Sequence, residues 1–135
     1  MSATCPQELH RFRGHVNIAN WEKKMSWIYL VAAVIAEVIG TAAMKLSQGF
    51  TKIVPSILML ALYGLSFAFL TLAVKKIDVS VGYAIWAGSA TALIATVGVF
   101  YFKEPATAMK IVSITLIVLG VIGLTLADPH LRHAG

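Results

Sequence analysis

Four long apolar runs, separated by connections too short to hold a domain, leave this chain few ways to fold. They are "WIYLVAAVIAEVIGTAAM" (27–44), "PSILMLALYGLSFAFLTLAV" (55–74), "VSVGYAIWAGSATALIATVGVFYF" (79–102) and "AMKIVSITLIVLGVIGLTLA" (108–127). Each is roughly 18 to 24 residues long, and about 20 residues at 1.5 Å per residue cross some 30 Å of hydrocarbon. The joining segments "KLSQGFTK", "KKID" and "KEPAT" are polar turns. In lipid every backbone polar group must be satisfied internally, so each run is expected to be a helix. The expected fold is an all-α membrane protein with a four-helix transmembrane domain over residues 25–135. Pro55 suits the first turn of the second helix, where a missing N–H costs little, and Pro105 suits the turn before the fourth.

Composition agrees, with 59% hydrophobic and 13% charged residues against roughly 25% charged in soluble domains. The net charge of +5 comes from lysines and arginines at the ends of the apolar runs. There they read as interfacial anchors, and no nucleic-acid partner is expected. Cys5 is the single cysteine, so no internal disulfide and no Cys/His metal spacing is available. Residues 1–24 are polar, with no apolar signal core, and read as a disordered leader or extension that ends before Met25.

From Met25 onward, one side of the membrane holds Lys75, Lys76 and Arg132, and the other holds Lys45, Lys52, Lys103 and Lys110. So small a bias permits insertion in both orientations and pairing with an inverted copy. Counting Arg11, Arg13, Lys23 and Lys24 raises the first side to seven.

Glu37 is the one acidic residue at mid-membrane depth in the four runs. A charge there costs about 2.5 to 3.5 kcal/mol on insertion scales. The nearest lysine along the same helix is Lys45, eight residues and about 12 Å away, so an intramembrane ion pair is not expected. Two states remain for Glu37: a neutral, protonated carboxyl, or a carboxylate neutralised by a cation from outside the protein. They exclude one another, which is the chemistry of an exchanger. The competing assignment is a structural glutamic acid hydrogen-bonded between helices.

Leu30, Ala33, Gly40, Thr41 and Met44 share the face of Glu37 at helical spacing and are mostly small. Ala32, Ala36 and Gly40 form a small-xxx-small series, for which close helix packing is the default explanation. In the third run Tyr83 and Trp86 face one way and can hold an organic cation by cation–π attraction; an interfacial aromatic belt is the alternative. Gly88, Ser89 and Ala90 give that helix a thin centre that can act as a hinge. Tyr63 and Ser66 share a face of the second run, suited equally to core hydrogen bonding and to lining a site. Ser113, Gly120 and Gly123 make a seam on the fourth helix suited to a dimer contact. The membrane part has no Ser/His/Asp set and no phosphate loop, so neither an enzyme nor a cofactor is expected.

The glutamate eight residues before the lysine of "KLSQGFT", the stretch "VGYAIW" and four helices in so short a chain resemble the small multidrug resistance transporters over Met25 to about Asp128. The resemblance implies an antiparallel, dual-topology homodimer in the inner (plasma) membrane that exports cations in exchange for protons. It implies that Glu37 is the shared proton and substrate carboxylate, that Tyr83 and Trp86 line the pocket with Tyr63 and Ser66 nearby, and that the helix 4 seam joins protomers. Guanidinium exporters of the family place a tryptophan three residues after the glutamate, whereas this chain has Gly40 followed by Thr41. That pattern is similar to the branch exporting lipophilic and quaternary ammonium cations, with room for bulky substrates beside Gly40. The alternatives are a guanidinium-type exporter, one subunit of a heterodimeric pair, and a small ion channel.

Overall fold

The structure, a computed structural model, describes the backbone of residues 6–128 and the side chains of residue 18 and of residues 20–128. Helix α1 runs Pro6–Leu46, α2 Ile53–Ala73, α3 Val79–Phe100 and α4 Ala108–Ala127, and no strand occurs among the described residues. All four are long and apolar enough to cross a membrane, with the span in α1 lying at Asn20–Leu46. The expected four-helix transmembrane fold is present.

The start of α1 departs from expectation. Residues 1–24 read as disordered, yet α1 begins at Pro6 and continues unbroken into the membrane span; residues 1–5 lie outside the described part. The physical reason is cooperativity. Helix nucleation is costly and propagation is cheap, so a membrane helix already formed extends readily through Leu, Arg, Glu and Lys. Pro6 fits a first helical turn. One contact ties the extension to the rest of the chain: Lys76 Nζ, in the α2–α3 connection, pairs with Glu22 Oε2 at 2.7 Å, while Ser26 Oγ donates within α1 to the Glu22 carbonyl at 3.0 Å.

The α1–α2 turn is built around Ser47, which is 1% exposed. Its hydroxyl donates to the Met44 carbonyl at 2.7 Å and accepts from the Phe50 N–H at 3.4 Å. Gln48, Gly49 and Phe50 all take positive φ, so the chain reverses in a left-handed stretch where only Gly49 is free of steric penalty.

Helix α1 packs on α2 and α3, and α4 packs on α3. The core joins Leu30, Ala33 and Val34 of α1 to Leu70 and Ala73 of α2, and to Val81, Trp86 and Ala90 of α3. Gly40 permits the α1–α2 approach: a Cβ there would stand 3.3 Å from Leu62 Cβ and 3.7 Å from the Met59 carbonyl oxygen. Gly88 does the same for α3 and α4, where a Cβ would meet Val121 Cγ2 at 2.6 Å. Helix α4 has no buried residue. Its apolar surface suits lipid or a second chain.

Candidate functional site

Glu37 lies on α1 between two side chains that grip the backbone on either side of it. One turn earlier, the buried Ser66 of α2 donates its hydroxyl proton to the Ala33 carbonyl at 2.7 Å. One turn later, Thr41 Oγ1 donates to the carbonyl of Glu37 itself at 2.9 Å and meets Tyr63 OH of α2 at 2.9 Å. With the threonine proton on the carbonyl, Tyr63 is the donor in that second contact. The turn of α1 carrying Glu37 is thereby fixed to α2 by two hydroxyl links.

Helix α3 joins through Trp86, whose indole N–H donates to Ser66 Oγ at 3.2 Å. Ser66 has one proton, spent on Ala33, and one lone pair, taken by Trp86. The Glu37 carboxyl neighbours this hydroxyl. Glu37 Oε2 is buried, with no hydrogen-bond partner among the described residues. Buried carboxyl oxygens without partners are costly and rare, so the site is chemically incomplete. A carboxyl so placed can be satisfied by a proton of its own or by a cation beside it.

Three aromatic rings cluster on the Ser66 side of the site, around Trp86. Trp86 is 6% exposed; its ring centroid lies 5.3 Å from that of Tyr83 and 5.5 Å from that of Phe67, both tilted. Tyr83 is 55% exposed, so it forms the outer edge of the row. Phe67 was not singled out from sequence. Its signal was adjacency to Ser66, hidden in a helix rich in apolar residues.

The remaining candidates are placed less uniformly. Ala33 is fully buried and contributes its carbonyl, not a lining side chain. Gly40 corrects an expectation: it is buried against Leu62 and Tyr63 of α2, so the absent side chain makes room for a helix and not for a bulky cation. Met44 is 43% exposed and, with Thr41, lines a cavity of about 480 Å³ between α1, α3 and α4. Glu37 is not on that cavity's wall. Helix α3 is unbroken through Gly88, Ser89 and Ala90, and Ser89 Oγ donates back to the Ile85 carbonyl. Ser113 lines the same cavity, whereas a Cβ at Gly120 or Gly123 would meet nothing within 4 Å.

Sequence reasoning also missed Glu104. It lies in the α3–α4 connection, where Lys103 takes a φ of 56° and the chain folds back so that the Glu104 N–H donates to the Gly98 carbonyl at 3.0 Å. Its carboxylate accepts from Lys45 Nζ through Oε1, and from Lys110 Nζ through Oε2 at 3.1 Å. Those hydrogen bonds, led by that of Lys45, hold its carboxyl below the usual carboxylate range.

Residues 25–117 match the family model described as Small Multidrug Resistance protein. The chain belongs to the small multidrug resistance family. Its relatives in this family include an uncharacterized membrane protein, YvaE, of Bacillus subtilis, 50% identical over 104 residues covering 77% of this chain and 87% of the relative. The quaternary ammonium compound-resistance protein QacF of Klebsiella aerogenes is 42% identical over 108 residues, covering 80% of this chain and 98% of QacF. The multidrug resistance protein of Mycobacterium bovis is 39% identical over 107 residues, covering 78% of this chain and all of the relative. Membership and the four apolar helices together make this a multi-pass membrane protein of a multidrug-resistance transporter family. The family match begins at Met25, so the N-terminal part of α1 lies outside it.

Proposed function

We propose that the chain is a proton-coupled antiporter that exports lipophilic and quaternary ammonium cations, with Glu37 the carboxylate shared by proton and substrate. One observation carries the reading: Glu37 Oε2 is buried and unpartnered, and the polar groups around it are spent on one another. Binding a proton neutralises the carboxyl and lets it donate to Ser66. Binding a cation neutralises the carboxylate directly, and the Tyr83, Trp86 and Phe67 rings present the π-faces that favour an organic cation over a hydrated inorganic one. Only one of the two fits at a time, so outside, where proton activity is higher, protonation expels the cation. Inside, deprotonation readmits it.

The quaternary-ammonium branch is supported by the likeness to QacF. Alternating access then runs in an antiparallel homodimer, in which two inverted copies exchange conformations by bending α3 at Gly88–Ala90. Helix α4, unburied in the single chain, supplies the contact through Ser113, Gly120 and Gly123. The test is transport in proteoliposomes with an acidic lumen. Tetraphenylphosphonium uptake should accompany proton efflux and vanish in Glu37→Gln; cation currents with no proton counterflow would identify a channel instead.

A further inference from the structure

Lys45, in the last turn of α1, lines the open cavity between α1, α3 and α4. Its ammonium stands 4.4 Å from the centroid of the Phe102 ring while donating to the Glu104 carboxylate. An aromatic face on one side and a carboxylate on the other is how proteins hold an organic cation. Here the cation present is the protein's own, on a flexible four-carbon tether with its side chain 47% exposed. Such an exposed ion pair is weak, so the ammonium can swing into water at little cost. Glu104 stays fixed when it does: Lys110 remains on Oε2, and the carboxylate rests against the bare backbone of Gly98, where a Cβ would lie 2.8 Å from Oε2.

Behind this pair the cavity holds about 480 Å³, within the range of small-molecule sites. Met44, Ile94 and Ile114 make it mostly apolar. Thr41, also on its wall, carries the hydroxyl bonded to the Glu37 carbonyl.

We propose that Phe102, Glu104 and this cavity form a second, weaker site for a lipophilic organic cation, for which the Lys45 ammonium is a tethered competitor. The cation's charge replaces the ammonium between ring and carboxylate, and its apolar groups fill the cavity. The cavity extends from this pair to Thr41, one helical turn from Glu37, which makes the site a staging point. The class of ligand rests on the proposed export function, but no contact in this site involves Glu37.

The experiment measures equilibrium dialysis of tetraphenylphosphonium against the detergent-purified full chain, with monodispersity of every variant checked by size exclusion. Glu37→Gln should keep a weak, saturable site. Adding Lys45→Met should tighten that site about threefold by removing the competitor. Phe102→Leu should instead weaken it about threefold, and Glu104→Gln should abolish it. If the wild type binds but Glu37→Gln has no saturable binding, or its binding ignores both Lys45→Met and Phe102→Leu, the second site is overturned and the export reading stands. If the wild type does not bind at all, both fall. Weak binding tuned by Lys45→Met and Phe102→Leu, in a protein that releases no protons, supports the second site and sinks the export reading.

Discussion

The indole N–H of Trp86 donates to Ser66 Oγ at 3.2 Å, and that same oxygen donates onward to the Ala33 carbonyl, so one serine joins three helices beside Glu37. Ser66→Ala leaves both a buried indole N–H and a carbonyl short of a partner. Interhelical hydrogen bonds in membranes average about 0.6 kcal/mol and reach about 1.7. The variant should lose about 1 kcal/mol of stability and release the Trp86 ring. In a Trp21→Phe/Trp27→Phe background, fluorescence anisotropy of Trp86 should fall; unchanged anisotropy would mean that the ring is held by packing alone.

Gly40 sets how closely α1 approaches α2. With 3.3 Å available to Leu62 Cβ, Gly40→Ala should be tolerated with a small shift, whereas Gly40→Trp should disrupt the pairing and lower the yield of monodisperse protein. A well-folded Gly40→Trp protein that has merely exchanged bulky cations for guanidinium would show that residue 40 acts on substrate size.

Gly88 faces Val121 at a distance that a methyl group cannot share. Gly88→Ala should destabilise by about 1 to 3 kcal/mol through overpacking, and Gly88→Ala/Val121→Ala should recover much of that loss. Unfolding in denaturing detergent measures both. Failure of the second substitution to rescue the first would place the sensitivity of Gly88 in helix bending.

Glu104 titrates below the usual carboxylate range because Lys45, and after it Lys110, hydrogen-bond its charged form. A carboxyl whose folded pKa is lowered contributes stability above its unfolded pKa and loses that contribution as pH falls through the folded one. Wild-type stability should therefore decline on acidification more steeply than that of Glu104→Gln, with the difference shrinking in high salt. Parallel pH profiles would mean that the pair contributes nothing to stability.

The four spans were legible because lipid leaves a backbone no alternative to the helix, and an apolar run reports its own length. The cost of Glu37 was legible for the same reason. A helical wheel gives a residue's direction along one helix without naming the neighbour there. It therefore grouped Gly40 with Glu37 but left hidden that α2 covers Gly40, or that Ala33 serves through its carbonyl. The Lys45–Glu104–Lys110 cluster was out of reach because it depends on one left-handed residue, Lys103, folding the connection back onto Gly98. The helical course of α1 before Met25 depends on continuation from the membrane span, which local composition does not report.

Proton release on cation binding tests the role of Glu37 most directly. Tetraphenylphosphonium added to weakly buffered, detergent-purified protein should release protons from the wild type, less so as pH rises and Glu37 is already ionised. Glu37→Gln should release none at any pH. Equal release from Glu37→Gln, or tight cation binding by the wild type with no release across the pH range, would contradict a carboxylate shared between proton and cation.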